Sequence, residues 1–121
     1  MRNTVQTQVI IQELNRLEHA TNACLWDAVK VHLPDISLPS LHRTTSRLAT
    51  EGRIGASLSL EGQTVLDATA EPHNHFICSD CHTIKDIEID GSFTKALQNQ
   101  VGGKIVTDSL VLYGSCASCI Q

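Results

Sequence analysis

Two Cys-x-x-Cys pairs, Cys78/Cys81 and Cys116/Cys119, are the clearest chemical feature of the sequence. Each pair can offer two thiolates from one turn, and two pairs complete the tetrahedral set of soft donors that suits zinc. Two disulfides or a redox-active pair are the alternatives. Both are disfavoured because the first 20 residues show no signal peptide and the cysteines have no βαβ context. The spacing therefore predicts a structural zinc site, and the remaining Cys24 is interpreted as a small core residue.

A second group of candidate ligands combines histidine and aspartate. His73 and His75 are two residues apart, so in an extended chain both imidazoles point to the same side. Asp67 and Asp86 lie on predicted strands that could pair back towards this segment. Neutral imidazoles with carboxylates suit Fe(II), Mn(II) or Zn(II), although the same residues could be ordinary surface groups beside the zinc site. His19, between the first two predicted helices, is interpreted from its position alone as a surface or helix-cap histidine.

The sequence lacks the motifs of common zinc enzymes. It has no His-Glu-x-x-His and no His-x-Glu before a Pro-Cys-x-x-Cys, so protease and deaminase chemistry would have no general base. The tripeptide His73-Asn74-His75 matches the name of the HNH nucleases by accident, because that name describes dispersed residues. We therefore expect a protein that is not an enzyme.

The elements that must position these residues fall into two halves. In the first half, apolar spacing predicts three helices followed by two short strands around the turn Glu61-Gly62. The helices are expected at residues 5–17, 22–33 and 38–51, and the strands at 54–60 and 64–68. Three helices followed by a hairpin are the layout of a winged helix.

The third predicted helix is amphipathic. Ser37 is its expected N-cap, Pro39 suits its first turn, and Gly52 follows its end. At about 100° per residue, one arc is mostly apolar and contains Leu38, Leu41, Thr45, Leu48 and Ala49. The opposite arc offers hydrogen-bond donors and contains His42, Arg43, Ser46, Arg47 and Thr50. This polar arc is either a surface that contacts DNA or a solvated helix face.

The second half, after Pro72, has a different character. Strands are expected at residues 76–78, 84–89 and 110–113, and a helix at 92–101. Three lysines face seven acidic residues from Asp67 onward, whereas bases and acids balance before it. A unit of about 50 residues rarely folds without a metal, disulfides or a partner. We predict an α+β chain with two domains, residues 1–69 and 70–121, the second stabilised by zinc and a partner.

These motifs together resemble the ferric uptake regulator (Fur) family of bacterial metal-dependent repressors. The resemblance spans almost the whole chain and rests on Arg2-Asn3-Thr4-Val5-Gln6, on His19 with Asn22-Ala23, on Ser40-Leu41-His42-Arg43 with Glu51-Gly52-Arg53-Ile54, on His73-Asn74-His75 with Cys78-Ser79-Asp80-Cys81, and on Tyr113-Gly114-Ser115-Cys116-Ala117-Ser118-Cys119. It implies a winged-helix DNA-binding domain followed by a small α/β dimerisation domain.

The resemblance also assigns the candidate sites. It implies a structural zinc site at Cys78, Cys81, Cys116 and Cys119. It implies a regulatory site for Fe(II) or Mn(II) at His19, Asp67, His73, His75 and Asp86. The residues expected to contact DNA are Ser40, His42, Arg43, Ser46 and Arg47. With His19 supplied by the first half, one ion would link both halves.

The function that the resemblance implies is that of a cytoplasmic, homodimeric repressor of transcription. Its partner would be a double-stranded DNA operator, an AT-rich palindrome, and no apolar run is long enough to span a membrane. Aspartate at 67 and 86, where iron sensors more often carry glutamate, resembles the peroxide-sensing branch (PerR). In that branch Fe(II) reacts with hydrogen peroxide, and the ligands matching His19 and His73 are oxidised. The alternatives are an iron- or zinc-responsive regulator without peroxide sensing and a zinc-stapled adaptor with no regulatory metal.

The chain departs from the family pattern at several positions. The usual Tyr of the recognition helix is His42, and the Arg expected after Gln6 is Thr7. Many members have an additional metal site in the dimerisation domain. The matching positions here are Pro72, Asn74, Phe93 and Ser115. These side chains offer little coordination, so the additional site is expected to be missing.

Overall fold

The computed structural model describes residues 4–106 and 109–120, and it divides into two compact units at the Glu71–Pro72 bond. Both units combine helix with a three-stranded sheet among the described residues, so the predicted α+β class is confirmed. Arg2 and Asn3 of the N-terminal motif lie outside the described residues. Within the described ranges, no helix is both long and apolar enough to cross a membrane.

The first unit is a winged helix. Its elements are α1 (Thr4–Leu17), β1 (His19–Thr21), α2 (Asn22–Val29), α3 (Leu38–Thr50), β2 (Gly55–Leu60) and β3 (Gln63–Asp67). The strands form an antiparallel sheet in the order β1-β3-β2, and the β2–β3 hairpin is the wing. The three predicted helices and the hairpin are present, although α2 ends earlier than predicted, and the sequence prediction misses β1. Three residues between two helices carry too little pattern to identify a strand.

Residues at both ends of α3 mark where this helix begins and where it ends. Ser37 Oγ accepts a hydrogen bond from Ser40 N–H at 3.2 Å, so Ser37 is the N-cap that the sequence predicts. Gly52, with a φ of 74°, takes the left-handed conformation that commonly follows a helix. In the apolar arc, Leu41, Thr45 and Leu48 are buried.

Helix α2 is shorter than the sequence predicts. Thr21 is its N-cap, but it ends at Val29 with Lys30 as C-cap, and the prediction that it continues to Leu33 is wrong. Trp26 Nε1 donates a hydrogen bond to Ile36 O at 3.0 Å. This tertiary contact ties the segment after α2 to the helix, and the local spacing of apolar residues does not reveal it.

The core of the first unit draws on all three helices and the sheet. Its buried apolar residues are Ile10, Leu14, Ala20, Leu25, Val29, Ile36, Leu41, Leu48, Ile54 and Leu66. The interpretation of Cys24 as a core residue is wrong, because Cys24 is exposed, and Val5 on α1 is exposed as well. At 3.6 residues per turn, Val5 lies about 140° around α1 from Ile10, and Cys24 lies about 100° around α2 from Leu25.

The second unit is built on a mixed sheet. Its elements are β4 (Asn74–Cys78), β5 (Ile84–Ile87), α4 (Gly91–Val101) and β6 (Val111–Gly114). The strand order is β5-β4-β6, with β4 antiparallel to β5 and parallel to β6. Parallel pairing needs a long crossover, which here contains α4. The predicted strands and helix are confirmed to within two residues at their ends.

Burial in the second unit is concentrated on β4, where Asn74, His75, Ile77 and Cys78 are buried. Helix α4 has no buried residue among those described. The described part of the second unit therefore has a small core, and its exposed apolar side chains include Phe93, Leu112 and Tyr113.

Candidate metal centres

The four cysteines of the second unit come together at one edge of its sheet. Cys78 is the last residue of β4 and pairs with Gly114, the last residue of β6. Because β4 and β6 are parallel neighbours, the turns that carry Cys81 and Cys116 leave the sheet at the same edge. A hydrogen bond from Ser79 N–H to Gly114 O at 2.7 Å joins the two turns.

The sulfur positions fit a single zinc ion. All four Sγ atoms lie within 4.8 Å of one another, and Cys81 Sγ lies 3.6 Å from Cys116 Sγ. Four sulfur atoms each about 2.3 Å from one zinc ion in a tetrahedron lie about 3.8 Å apart. The donor set and its spacing therefore agree with a zinc site made of four cysteines.

Hydrogen bonds prepare two of these thiols for metal binding. The N–H groups of Cys81 at 3.5 Å and Cys116 at 3.3 Å donate to Cys78 Sγ and lower the pKa of Cys78 to about 6. The Thr83 hydroxyl, 3.1 Å from Cys81 Sγ, lowers the pKa of that thiol. In contrast, the neighbouring sulfur of Cys116, followed by those of the other two cysteines, raises the pKa of Cys119. A divalent cation would resolve this conflict because it stabilises four thiolates together.

The first unit brings His19 and Asp67 together, and we call this pair the first half-site. The register of β1 against β3 places the two residues directly opposite each other. Both side chains are largely buried, and His19 Nε2 lies 3.4 Å from Asp67 Oδ2. Asp67 Oδ1 accepts a hydrogen bond from Thr69 N–H at 2.9 Å, which fixes the carboxylate. The interpretation of His19 as a surface histidine is therefore wrong, and the strand that the sequence missed is the element that positions it.

The second unit brings together His73, His75 and Asp86, and we call this trio the second half-site. The pairing of β4 with β5 places His75 opposite Asp86. His73 Nε2 and His75 Nε2 each lie 3.2 Å from Asp86 Oδ1, and the two imidazole centroids are 4.1 Å apart. His75 is almost completely buried, whereas the Asp86 side chain is half exposed.

The donor spacing in each half-site is compatible with a bound ion. Two nitrogen or oxygen ligands that are each about 2.1 Å from one ion lie about 3.0–3.4 Å apart, depending on the coordination geometry. The separations of 3.2 Å and 3.4 Å fall in this range. Each half-site therefore has the donor atoms and the spacing of part of a metal site.

Four residues of the polar arc of α3 are exposed, namely His42, Arg43, Ser46 and Thr50. The guanidinium group of Arg43 is held in place because its Nη2 donates to Ser40 Oγ at 3.0 Å. A cationic donor that is already oriented along the helix surface can contact a base edge or a phosphate at a lower entropic cost.

Arg47, in the same arc, has a different environment. Its Nη2 donates to Thr7 Oγ1 at 3.2 Å, and its Nη1 lies 3.5 Å from Glu51 Oε1. Arg47 therefore links α3 to α1. Thr7, the position at which the family pattern has Arg, is the partner on α1.

Two of the four positions that match the additional metal site of the family pattern make hydrogen bonds to other groups. Asn74 Oδ1 accepts a hydrogen bond from Leu110 N–H at 2.7 Å, which ties β4 to the residue before β6. Ser115 Oγ donates to Asp80 Oδ2 at 2.7 Å between the two cysteine turns. Phe93 is exposed on α4. The role of Asn74 is tertiary, and the sequence holds no local signal for it.

A sequence model of the ferric uptake regulator family matches residues 1–113 of the chain. No curated protein sequence matches the chain at a significant level.

Solved structures with the same fold include regulators of several kinds. The peroxide stress regulator of Campylobacter jejuni is 25% identical, with a TM-score of 0.75 over 96% of this chain and 90% of that one. The ferric uptake regulator of Helicobacter pylori, described as having three functional metal binding sites, is 22% identical, with a TM-score of 0.81 over 100% of this chain and 83% of that one. A zinc uptake regulator complexed with zinc and DNA is 20% identical, with a TM-score of 0.66 over 99% and 84%.

Proposed function

Since the chain belongs to the ferric uptake regulator family, we propose that it is a metal-dependent DNA-binding repressor of transcription. The observation that carries the proposal is that one chain of this fold contains both a cluster of four cysteines and groups of histidine and aspartate with the spacing of metal ligands. Members of this family are transcription regulators, and we propose no catalytic activity for this one.

The four-cysteine cluster has the role of a structural Zn²⁺ site in this proposal. Four thiolates leave no open coordination position, so the site serves folding rather than chemistry. Cys78 and Cys81 would hold the turn after β4, and Cys116 and Cys119 would hold the segment after β6. Zinc binding of about 10–16 kcal/mol at neutral pH would be coupled to the folding of this unit.

We further propose that both half-sites ligate one exchangeable Fe²⁺ or Mn²⁺ ion. His19 and Asp67 supply one imidazole and one carboxylate, and the second half-site supplies two imidazoles and one carboxylate. Mixed nitrogen and oxygen donors suit these ions, and a pair of donors alone makes an incomplete coordination shell. Ligation from both sides of the Glu71–Pro72 bond would favour the DNA-binding conformations of the chain by about 1–3 kcal/mol.

Metal content per chain tests this part of the proposal. The protein is purified without oxygen, assayed before and after EDTA treatment, and titrated with Mn²⁺. We expect one zinc that resists EDTA and one exchangeable Mn²⁺, and His75→Ala should lose the Mn²⁺ but keep the zinc. His32→Ala, which removes an exposed histidine outside both half-sites, is the matched control and should keep both. A single zinc with no Mn²⁺ site would overturn the proposal and leave a zinc-stapled adaptor.

DNA binding is proposed for the first domain, residues 1–69, through the polar arc of α3. The proposed contact residues are Ser40, His42, Arg43, Ser46 and Arg47. A solved regulator of this fold is complexed with DNA. Arg43 is the strongest candidate for a base contact because Ser40 already orients its guanidinium group.

Arg43→Ala tests the proposed interface. It should weaken binding to a fluorescein-labelled AT-rich palindromic duplex by about 1–3 kcal/mol in an anisotropy titration. Dimerisation should not change. Arg53→Ala removes an exposed arginine beyond the end of α3 and should bind as the unmodified protein does. Equal binding by Arg43→Ala would contradict the assignment.

Homodimerisation is proposed for the second domain, residues 70–121. Its exposed apolar side chains include Phe93 on α4 and Leu112 and Tyr113 on β6, and a second copy would cover such a surface. A two-fold dimer would present two copies of α3 to a palindromic operator. We place this regulator in the cytoplasm, where DNA is accessible and thiols stay reduced.

A second candidate function is peroxide sensing through the same ligands. It is favoured by aspartate rather than glutamate at Asp67 and Asp86 and by the likeness to the peroxide stress regulator of Campylobacter jejuni. In the Fe²⁺-loaded protein, hydrogen peroxide should add an oxygen atom to His19 or His73. Peptide mass spectrometry should find this addition with Fe²⁺, not with Mn²⁺, and not at His32. Unmodified histidines in the Fe²⁺-loaded protein would favour an iron- or zinc-responsive regulator without peroxide sensing.

A further inference from the structure

Strand β2 begins with Gly55, which lies opposite Asp67 of the first half-site on the neighbouring strand β3. The register pairs Gly55 with Asp67, and the pairing becomes irregular between Gly55 and Leu58. Glycine in a strand packs no side chain and often marks a place where another part of the backbone approaches closely.

A side chain at position 55 would collide with the segment that contains Asp67. A Cβ atom built there would lie 2.9 Å from Thr69 O and 3.2 Å from Asp67 Cβ. The closer contact is with backbone, which cannot move aside as the end of a flexible side chain can. Gly55 lacks the positive φ of Gly52 and Gly62, so space rather than backbone conformation is what requires glycine here.

The segment that would be displaced is the one that holds the Asp67 carboxylate. Thr69 N–H donates to Asp67 Oδ1 at 2.9 Å, so that Oδ2 faces His19 Nε2 at 3.4 Å. Ala68 N–H donates to Glu18 O at 3.0 Å, next to His19 in the sequence. A shift of residues 67–69 would therefore change the direction of the carboxylate relative to the imidazole.

We propose that Gly55 is a positioning residue for the regulatory metal: the space left by its missing side chain lets residues 67–69 hold the Asp67 carboxylate beside His19. The inference rests on the proposed function, because it requires the first half-site to ligate the ion. Gly55 contributes no ligand itself. Groups that orient metal ligands typically change metal affinity about 10–100-fold when they are altered.

The test is Gly55→Ala in the full-length, zinc-loaded, EDTA-treated protein. The Mn²⁺ dissociation constant should rise about 10-fold or more, and the zinc content should stay the same. Gly91→Ala is the matched control, because a Cβ atom there meets nothing within 4 Å and the position has no positive φ. It should bind Mn²⁺ as the unmodified protein does.

A double-mutant cycle with Asp67→Ala separates positioning from a general loss of stability. If Gly55 acts through Asp67, Gly55→Ala should weaken Mn²⁺ binding in the unmodified background and have no further effect in the Asp67→Ala background. Saturating Co²⁺ in the exchangeable site gives a second readout. An altered carboxylate ligand should change the shape of the d–d absorption bands, whereas a folding defect would only lower their amplitude.

The outcomes of these tests are distinct. Unchanged Mn²⁺ affinity in Gly55→Ala, or an equal loss in both backgrounds of the cycle, would overturn the positioning role and leave the proposed function standing. The absence of an exchangeable Mn²⁺ site in the unmodified protein would overturn the proposed function, and the positioning role with it.

Discussion

The two units bury apolar surface very differently. In the first, Ile10 and Leu41 are fully buried in a continuous cluster shared by three helices and a sheet. In the second, α4 has no buried residue among those described, Phe93 and Leu112 are 48% exposed, and Tyr113 is 65% exposed. Apolar packing therefore stabilises the first unit, whereas the second unit buries little and is the one for which we propose stabilisation by zinc and by a second copy of the chain.

Removal of zinc should have the largest effect, and only on the second unit. Cys116→Ser takes away one of four thiolates, and about 10–16 kcal/mol of zinc binding is coupled to folding. We expect loss of zinc and loss of hydrogen-exchange protection in β4–β6, with α1–α3 still protected. Cys24→Ser, which changes an exposed thiol outside the cluster, should behave as the unmodified protein does. Protection of the second unit in the absence of zinc would show that zinc does not stabilise it.

Leu48→Ala should have the largest effect in the first unit. Leu48 is fully buried, and such truncations cost about 2–5 kcal/mol. Urea unfolding followed by the fluorescence of Trp26, the single tryptophan, reports on this unit, and the zinc content should not change. Val31→Ala, at a position that is 75% exposed, should change stability by less than about 0.5 kcal/mol. Loss of zinc in Leu48→Ala would show that the two units unfold together.

Leu112→Lys should weaken the dimer without unfolding either unit. Covering an exposed leucine in a dimer is favourable, whereas covering a charge is costly. We expect the dissociation constant of the dimer to rise about 10-fold or more, which is about 1.4 kcal/mol, measured by analytical ultracentrifugation. Val31→Lys places the same charge on the first unit and should leave the dimer intact. An unchanged dimer in Leu112→Lys would place the interface elsewhere.

Asp90→Ala should have the smallest effect. Asp90 Oδ1 accepts hydrogen bonds from Ser92 Oγ at 2.7 Å and Phe93 N–H at 3.0 Å, and these lower the pKa of Asp90 below its usual 3.8. A carboxylate with a lowered pKa stabilises the fold fully above 3.8 and loses that contribution only as pH falls through the lowered value. At pH 7, the loss of these hydrogen bonds in Asp90→Ala should therefore make hydrogen exchange faster in the first turn of α4. Asp35→Ala, at an exposed position of the first unit, is the control and should leave the exchange rate in α4 unchanged. An unchanged exchange rate in Asp90→Ala would show that the cap does not stabilise the helix.

The part of the fold that the sequence predicted is the part that local signals determine. Ser37 and Gly52 mark the ends of α3 through their own backbone preferences. The segment after α2 is held instead by the hydrogen bond from Trp26 Nε1 to Ile36 O, and β1 is defined by its pairing with β3. Contacts between residues distant in sequence leave no periodic pattern to read.

The candidate sites divide in the same way. The two Cys-x-x-Cys turns and the alternation of His73 and His75 are short-range patterns, so their residue types and spacing alone indicate metal ligands. His19 entered the regulatory site only through the family resemblance, because the register of β1 against β3 is what places it beside Asp67. The positioning role that we propose for Gly55 has no signal in the sequence, since it rests on the 2.9 Å that would separate an added Cβ atom from Thr69 O.

Metal-dependent DNA binding is tested by the DNA affinity of the zinc-loaded protein with and without Mn²⁺. A labelled AT-rich palindromic duplex, selected from a randomised library against the Mn²⁺-loaded protein, would be titrated by fluorescence anisotropy at fixed salt. We predict that Mn²⁺ increases the affinity about 5–150-fold and that His75→Ala removes the increase but leaves the zinc content unchanged. Equal DNA affinity of the Mn²⁺-free and Mn²⁺-loaded protein would show that the metal does not control DNA binding.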